Sequence, residues 1–293
     1  MKEFPVPLRA IGPGSQPEED AELDFLPMPR DMNTFAMPRV PEQADPAALA
    51  AARDVLAGFL AALEGWDPDS AVRGPRVDMS GVDPAALEIV NQMLGEGEVS
   101  IQIKGERRWR IQESVFTGLW RCCEVDAEGR LLADWLEAAA VPEVALEAAR
   151  MAAATGLPAV EWPAGAMNSP ALVAEIGSQL RTRDPTARAH VVNLTLFPMT
   201  ADDHAVLERA LPVGPVAMIS RGFGNCHVTS TLTRDVWRVQ YFNTMNTLIL
   251  NTLEVVGVPE VALAAAEDLA DSRQRLAELV QWMDESVAEQ AQA

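Results

Sequence analysis

Three cysteines, three histidines and one tyrosine are all that this 293-residue chain has of those residue types. Two of the cysteines are adjacent, Cys122-Cys123, so no disulfide framework can be built and a reducing compartment is expected. There is no HExxH segment and no paired CxxC, which argues against a structural zinc or standard iron–sulfur site. No run of about 18 apolar residues occurs, so nothing is expected to span a bilayer. The opening stretch MKEFPVPLRAIGPGSQPEED lacks an apolar core, and no secretory leader is expected from it. Walker-type loops are missing too. Gly12-Pro13-Gly14 lies among prolines, and Gly222-Phe223-Gly224 stands between two strands, with no helix N-terminus to offer a phosphate. Positive charge is scarce: 23 Lys and Arg face 43 Asp and Glu, for a net charge of −20. Coating nucleic acid needs clustered positive charge, and so does adsorption to anionic membranes, so neither is expected.

What is present is globular in kind. Hydrophobic residues make up 48% and charged residues 23%, and the length suffices to bury a proper core. The acid is unevenly spread. Residues 1–46 carry 4 basic and 9 acidic side chains, residues 47–150 carry 10 and 18, and residues 151–293 carry 9 and 16. Within the last stretch, residues 254–293 hold 2 basic and 9 acidic groups, which leaves residues 151–253 neutral overall. Such a field either attracts a basic partner or simply keeps the protein soluble.

Nine of the 21 prolines fall within residues 1–46. Proline removes backbone donors and forces its predecessor into extended conformations, so this stretch reads as an extended or disordered arm. It nevertheless concentrates Leu23, Phe25, Leu26, Met28, Met32, Phe35, Met37 and Val40. That density makes docking onto the body or a partner as good a reading as a passive tail.

The body carries an internal repeat. VPEVALEAA at 141–149 returns as VPEVALAAA at 258–266, an offset of 117. At the same offset Trp120-Arg121 falls on Trp237-Arg238, Gly105 on Gly222 and Val99 on Val216. At an offset of 120, Leu87-Glu88 matches Leu207-Glu208, Asp83 matches Asp203 and Met79 matches Met199. Two copies of this size suggest a pseudo-two-fold pair rather than a solenoid. The expected fold is α+β: two pseudo-symmetric copies of a helix–strand–helix–three-stranded meander–helix unit, behind an extended N-terminal arm.

In the first copy this means a helix at 47–63 started by Asp45-Pro46, an extended stretch at 75–79 and a helix at 84–94. Strands follow at 99–104, 107–112 and 116–125. In the second copy, a helix at 170–182 capped by Ser169 precedes an extended stretch at 189–197 and a helix at 202–211. Strands follow at 216–220, 225–232 and 236–243. Segments 131–139 and 248–256 read equally as strand or short helix, and a VPEV helix closes each copy. The chain then divides into an arm (1–46), a first repeat (47–150), a linker (151–168), a second repeat (169–270) and an acidic C-terminal helix and tail (271–293).

Catalytic constellations are not evident. His190 and His204 read as ordinary surface residues, and Cys122 and Cys123 point to opposite faces of one strand, where they cannot share a metal. Cys226 follows Arg221 and Asn225 and precedes His227. It is either a half-buried structural residue or a partly ionised thiol able to ligate or sense. Along 236–243, alternation puts Trp237, Val239 and Tyr241 on one face and Arg238, Gln240 and Phe242 on the other. Aromatics interleaved with arginine and amides suit a protein interface, and a sheet face packed under helices would read the same way.

The arm GPGSQPEEDAELDFLPMPRDMNTF, the block RGFGNCHVTSTLTRDVWRVQYFNTMNTLILNTLEVVGVPEVA and the acidic closing helix carry a resemblance. Together they resemble the HupH/HyaF/HoxQ family of accessory proteins for maturation of uptake nickel–iron hydrogenases. The resemblance runs over essentially the whole chain. It implies a cytoplasmic, non-enzymatic chaperone that needs no cofactor. Its partner would be the hydrogenase small subunit with its twin-arginine leader and iron–sulfur clusters, with or without another accessory protein. The chaperone would hold that subunit until it joins the large subunit and is exported. The family's loop pattern is Gly-Tyr-Gly-Asn-Cys-Arg, from which Phe223 and His227 depart. The resemblance makes Arg221, Phe223, Asn225, Cys226, Arg234, Trp237, Gln240, Tyr241 and Asn243 candidate partner contacts, joined by Phe25, Met28 and Phe35 of the arm. The alternative is a carrier or repair factor for iron–sulfur clusters, with Cys226 as a transient ligand.

Overall fold

The computed structural model describes residues 45–68, 73–221 and 224–290. The expectations for the arm before residue 45 lie outside these residues. Among the described residues, six helices surround one ten-stranded sheet in which every neighbouring pair is antiparallel, an α+β architecture.

The first half contributes α1 (Pro46–Ala62), β1 (Arg76–Asp78), α2 (Pro84–Leu94), β2 (Val99–Ile103) and β3 (Arg108–Glu113). It continues through β4 (Leu119–Val125), β5 (Leu131–Ala138) and α3 (Glu143–Ala152). The second half contributes α4 (Ser169–Thr182), β6 (His190–Asn193), α5 (Ala201–Ala210), β7 (Val213–Ser220), β8 (Asn225–Thr231), β9 (Val236–Phe242) and β10 (Leu248–Val255). The long helix α6 (Ala266–Gln290) ends it. Both segments left open between strand and helix are strands, β5 and β10. Each has a partner waiting on both sides, and tertiary pairing settles what periodicity could not.

The strand order is β1-β5-β4-β3-β2-β7-β8-β9-β10-β6. Read outward from the centre, each half pairs in the same sequence. At the centre, β2 and β7 run antiparallel with Ile101 opposite Met218. Those two residues stand 117 apart, the offset of the internal repeat.

One sheet face is packed by α3 over Ile101, Ile111, Trp120, Cys122, Met218, Val228, Trp237 and Val239. The other face is covered at its two ends. At one end α1, α2 and α6 bury Leu119, Leu136 and Ala138. At the other, α4 and α5 bury Val192, Val236, Leu253 and Val255.

Local chemistry explains most helix starts. The Asp45 carboxylate accepts from the Ala48 N–H at 3.3 Å and Asp83 accepts from the Ala85 N–H at 2.9 Å, each just before a proline at the first helical turn. The start of α4 departs from expectation. Ser169 lies inside the helix and does not cap it, because its N–H and hydroxyl, with the N–H groups of Met167 and Asn168, all donate to Asp203 Oδ1 at 2.8–2.9 Å. The other oxygen of Asp203 accepts from the Thr200 N–H and hydroxyl, completing a capping box for α5. One buried carboxylate therefore starts two helices.

The two VPEV segments also part company. The first opens α3, whereas the second makes only a 3₁₀ turn over Glu260–Ala262. Leu263 is extended, and the Ala264 N–H donates to the Ala140 carbonyl at 3.0 Å. The chain is thereby held extended until α6 begins at Ala266. That helix returns to the first half, where Leu276, Leu279, Val280 and Met283 join the cluster of α1 and α2.

Candidate functional site

The repeated Trp-Arg dipeptide builds the site. Adjacent residues of a strand point to opposite faces, so each tryptophan enters the α3-side core and each arginine emerges on the opposite face. Trp120 donates its indole N–H to the Ala139 carbonyl at 2.8 Å, and Trp237 donates to the Gly257 carbonyl at 3.1 Å. Both rings are buried, Trp237 to 3% exposure.

On the opposite face, two cross-strand rows cross the middle of the sheet. One runs Arg121, Gln112, Ser100, Ile219, His227, Gln240 and Asn251; the other runs Cys123, Arg110, Gln102, Ala217, Thr229 and Arg238. These rows form the floor of a trough whose walls are the two helix packs. From β4 to β9 are five strand spacings, about 24 Å at ~4.8 Å each. The floor is amide- and arginine-rich, unlike the acidic molecule around it.

Arg121 is fixed there. Its Nε and Nη2 donate to the two oxygens of Asp134 at 3.1 and 2.7 Å, and Nη1 donates to Asn91 at the end of α2. Burial opposes its charge, and the Asp134 carboxylate more than restores it, so the guanidinium is held charged. Cys123 lies beside the same carboxylate at 3.5 Å. Burial and then the Asp134 charge push its thiol up to about 11. His227 packs against Phe242 with ring centroids 4.7 Å apart, and burial lowers its pKa, which favours the neutral ring.

The candidate residues separate into distinct environments. Trp237 and Cys226 are in the α3-side core with Tyr241 at its edge; of the two readings of this strand face, packing under a helix is the one the structure has, with Trp237 buried. Cys226 is opposite Tyr241, and burial pushes its thiol up to about 11 despite a hydrogen bond with the tyrosine hydroxyl. Of the two readings of Cys226, the structural residue fits this burial better than the partly ionised thiol, and His227 projects from the other face of the strand. Gln240 and the neighbouring Arg238 are on the trough floor.

Arg221 donates its backbone N–H to the Glu98 carbonyl at 3.1 Å. Asn225 pairs with Phe242 across β8 and β9. Arg234 is exposed on the β8–β9 turn, where its N–H donates to the Ala154 carbonyl at 2.8 Å. Asn243 holds the β9–β10 turn, its carboxamide oxygen accepting from the N–H groups of Met245 and Thr247 at 2.9 Å. Phe223, Phe25, Met28 and Phe35 lie outside the described residues. Among the described residues, no group of three or more His, Cys, Asp or Glu side chains could hold a metal ion, and no helix is long and apolar enough to cross a membrane. Residue-by-residue reading missed the trough rows of β2, β3 and β7, whose signal was the repeated Trp-Arg pair.

The profile of the "HupH hydrogenase expression protein, C-terminal conserved region" matches residues 49–156 and 166–283. The chain belongs to the HupH family. Its first matched span contains β1 to β5 and its second β6 to β10. Among HupH-family relatives, the hydrogenase expression/formation protein HoxQ of Cupriavidus necator is 43% identical over 97% of this chain and 99% of its own. HupH of Rhodobacter capsulatus is 38% identical, over 96% of this chain and 98% of its own. The hydrogenase-1 operon protein HyaF of Escherichia coli is 32% identical, over 94% and 96%. A solved structure of the hydrogenase expression protein HupH from Thiobacillus denitrificans is 27% identical, covers 40% of this chain and 96% of its own, and aligns with a TM-score of 0.36.

Proposed function

We propose that this HupH-family protein is a non-enzymatic, cytoplasmic chaperone in the maturation of an uptake nickel–iron hydrogenase. It holds the small subunit, with its leader and clusters, before assembly with the large subunit and export. The names of its relatives support a role in making hydrogenase. The observation that carries the reading is the trough: a broad, polar, arginine-lined floor between two helical walls is built to receive a protein segment rather than a small molecule. Gln240 and Arg238 on the floor, with Asn225 and Arg221 at its rim, are the contacts proposed from the described residues, and Phe223 and the arm residues remain proposed contacts on the strength of the resemblance.

We also read the two sheet halves as duplicated copies, which the shared pairing order and the pairing of Ile101 with Met218 support. Duplication explains why equivalent arginines, Arg121 and Arg238, flank the floor on both sides.

The test is co-purification of the tagged full-length protein with the small subunit. Arg110→Glu with Arg238→Glu, at unchanged thermal stability, is expected to reduce recovery about tenfold or more, as loss of central charged contacts does. Recovery equal to the unsubstituted protein overturns the trough as the client surface. Trp237 is unsuited to this test, because Trp237→Ala would cost about 3–5 kcal/mol by emptying the core. The buried, protonated Cys226 weighs against cluster carriage through that thiol. Anaerobically purified protein is expected to be colourless and free of iron.

A further inference from the structure

The row of the trough floor that runs through His227 and Gln240 reaches Asn251 on β10, where the floor meets the α4–α5 wall. Asn251 is 1% exposed, and neither the oxygen nor the nitrogen of its carboxamide has a hydrogen-bond partner among the described residues. Turning the amide over changes nothing, because both ends are unsatisfied. Its backbone N–H, by contrast, donates to the Thr195 hydroxyl oxygen at 2.9 Å. A buried amide without either bond weakens the fold, and an apolar side chain of the same shape would not. Such a group calls for a partner from outside the chain.

The chemistry of the side chain says what that partner is. A carboxamide is a copy of the peptide group, with an acceptor and a donor side by side. Its complement is an N–H and a C=O that point the same way. A residue of an extended chain offers that pair, as in every hydrogen-bonded pair of an antiparallel ladder. A helical residue does not, because its N–H and C=O point in opposite directions along the axis and are bonded within the helix. Gln240 is half-buried and directly opposite Asn251, so a second carboxamide stands beside the first. Charge sets the side chains of the bound segment. Arg238 precedes Gln240 by two residues on the same face of β9, and exposed Arg110 lies farther along the row of Arg238. Both call for carboxylates.

We propose that Asn251, with Gln240, grips the main chain of an extended, acid-bearing segment of the partner protein in the trough. The carboxamide of Asn251 turns to meet one residue of that segment, and the arginines take its carboxylates. The inference rests on the chaperone reading and adds to it the form of what is held: a stretch of client outside any helix, distinct from the basic leader. Main-chain bonds supply affinity at any sequence, and the arginines select the acidic one.

The test compares the tagged full-length protein with its Asn251→Leu variant. Leucine keeps the shape and removes the amide, so thermal stability is expected to be equal or higher. Recovery of the small subunit is expected to fall about tenfold, the worth of two ordinary hydrogen bonds. Unchanged recovery in the stable variant overturns the proposal. Overlapping synthetic peptides covering the small subunit then locate the segment by fluorescence anisotropy, and acid-bearing peptides are expected to bind. In the best of them, a single backbone N-methyl group, which deletes one N–H, is expected to cost about tenfold in Kd, and alanine at the same residue less than about twofold. In Asn251→Leu that N-methyl penalty is expected to vanish. Binding by the leader peptide alone, or indifference to every N-methyl group, overturns the proposal. Should the leucine variant unfold, the N-methyl scan on the unsubstituted protein decides. A small subunit that co-purifies while none of its peptides binds means that the extended-segment inference fails and the chaperone reading stands. A small subunit that does not co-purify means that the chaperone reading fails, and this inference with it.

Discussion

Two buried carboxylates have opposite fates, and the difference is their hydrogen bonds. Asp203 is surrounded by donors: three backbone N–H groups and a hydroxyl on one oxygen, an N–H and a hydroxyl on the other. Burial alone would raise its pKa, and the donors overrule it, holding the carboxyl well below the usual range. A depressed folded pKa stabilises the fold above the unfolded value of about 3.9 and ceases to do so as pH falls through the folded one. Asp203→Asn turns an amide donor toward one of these donor sets and is expected to cost about 2–3 kcal/mol. In urea titrations the gap between the two proteins should be constant from pH 8 to pH 5 and start to close below about pH 4. Glu113 is the reverse. It is 5% exposed, and burial pushes its pKa up to about 7 although the backbone N–H groups of Gly118, at 2.9 Å, and Val99 favour the charge. The folded state then binds a proton that the unfolded chain has released, so stability declines as pH rises from about 4.5 to about 7. Glu113→Gln keeps an acceptor for Gly118 and loses the charge. It is expected to stabilise by up to about 3 kcal/mol at pH 8 and by little at pH 4.5, read as the urea midpoint at each pH.

Elements show what local sequence can and cannot dictate. Proline after aspartate fixes the starts of α1 and α2, and alternation fixes the faces of β9, because both signals act within a few residues. The asymmetry between α3 and the 3₁₀ turn at Glu260–Ala262 was illegible in nearly identical nonapeptides, since it is set by a bond from Ala264 to the distant Ala140. For the same reason the packing of α6 on the first half could not be read from its own amphipathic pattern. Nor could that pattern tell that β9 buries Trp237 under a helix that comes 85 residues earlier in the chain, at 143–152. The docking of α6 has a sensitive point at Gly118. Its φ is +77°, and a Cβ there would stand 2.1 Å from Leu269 Cδ2 of α6. Gly118→Ala is therefore expected to cost about 2 kcal/mol or more, from left-handed strain and overpacking together. Leu269→Ala makes room, so the double variant should lose less than the sum of the two single ones. Additive losses in a urea double-mutant cycle would mean that the two do not touch.

At the scale of the whole molecule the question is what a charge of −20 does around an arginine-lined trough. Acid gathers in residues 1–46, in the first half and on α6, whereas residues 151–253 are neutral overall. A basic leader would be drawn to the acidic parts and an acidic client segment to the floor, and either contact weakens as salt shortens the screening length from about 10 Å at 0.1 M to about 3 Å at 1 M. Salt dependence alone cannot tell them apart; local neutralisation can. Glu278 and Glu285 are exposed on α6, each bonded to a glutamine one turn earlier, so Glu278→Gln with Glu285→Gln should leave the fold intact. If α6 steers the leader, this pair should flatten the dependence of client Kd on salt, measured between 0.05 and 0.5 M (about one decade of salt), and slow association more than it speeds release. A slope unchanged in that variant and flattened by Arg110→Glu with Arg238→Glu would assign the electrostatic contact to the trough and leave the acid of α6 as solvation.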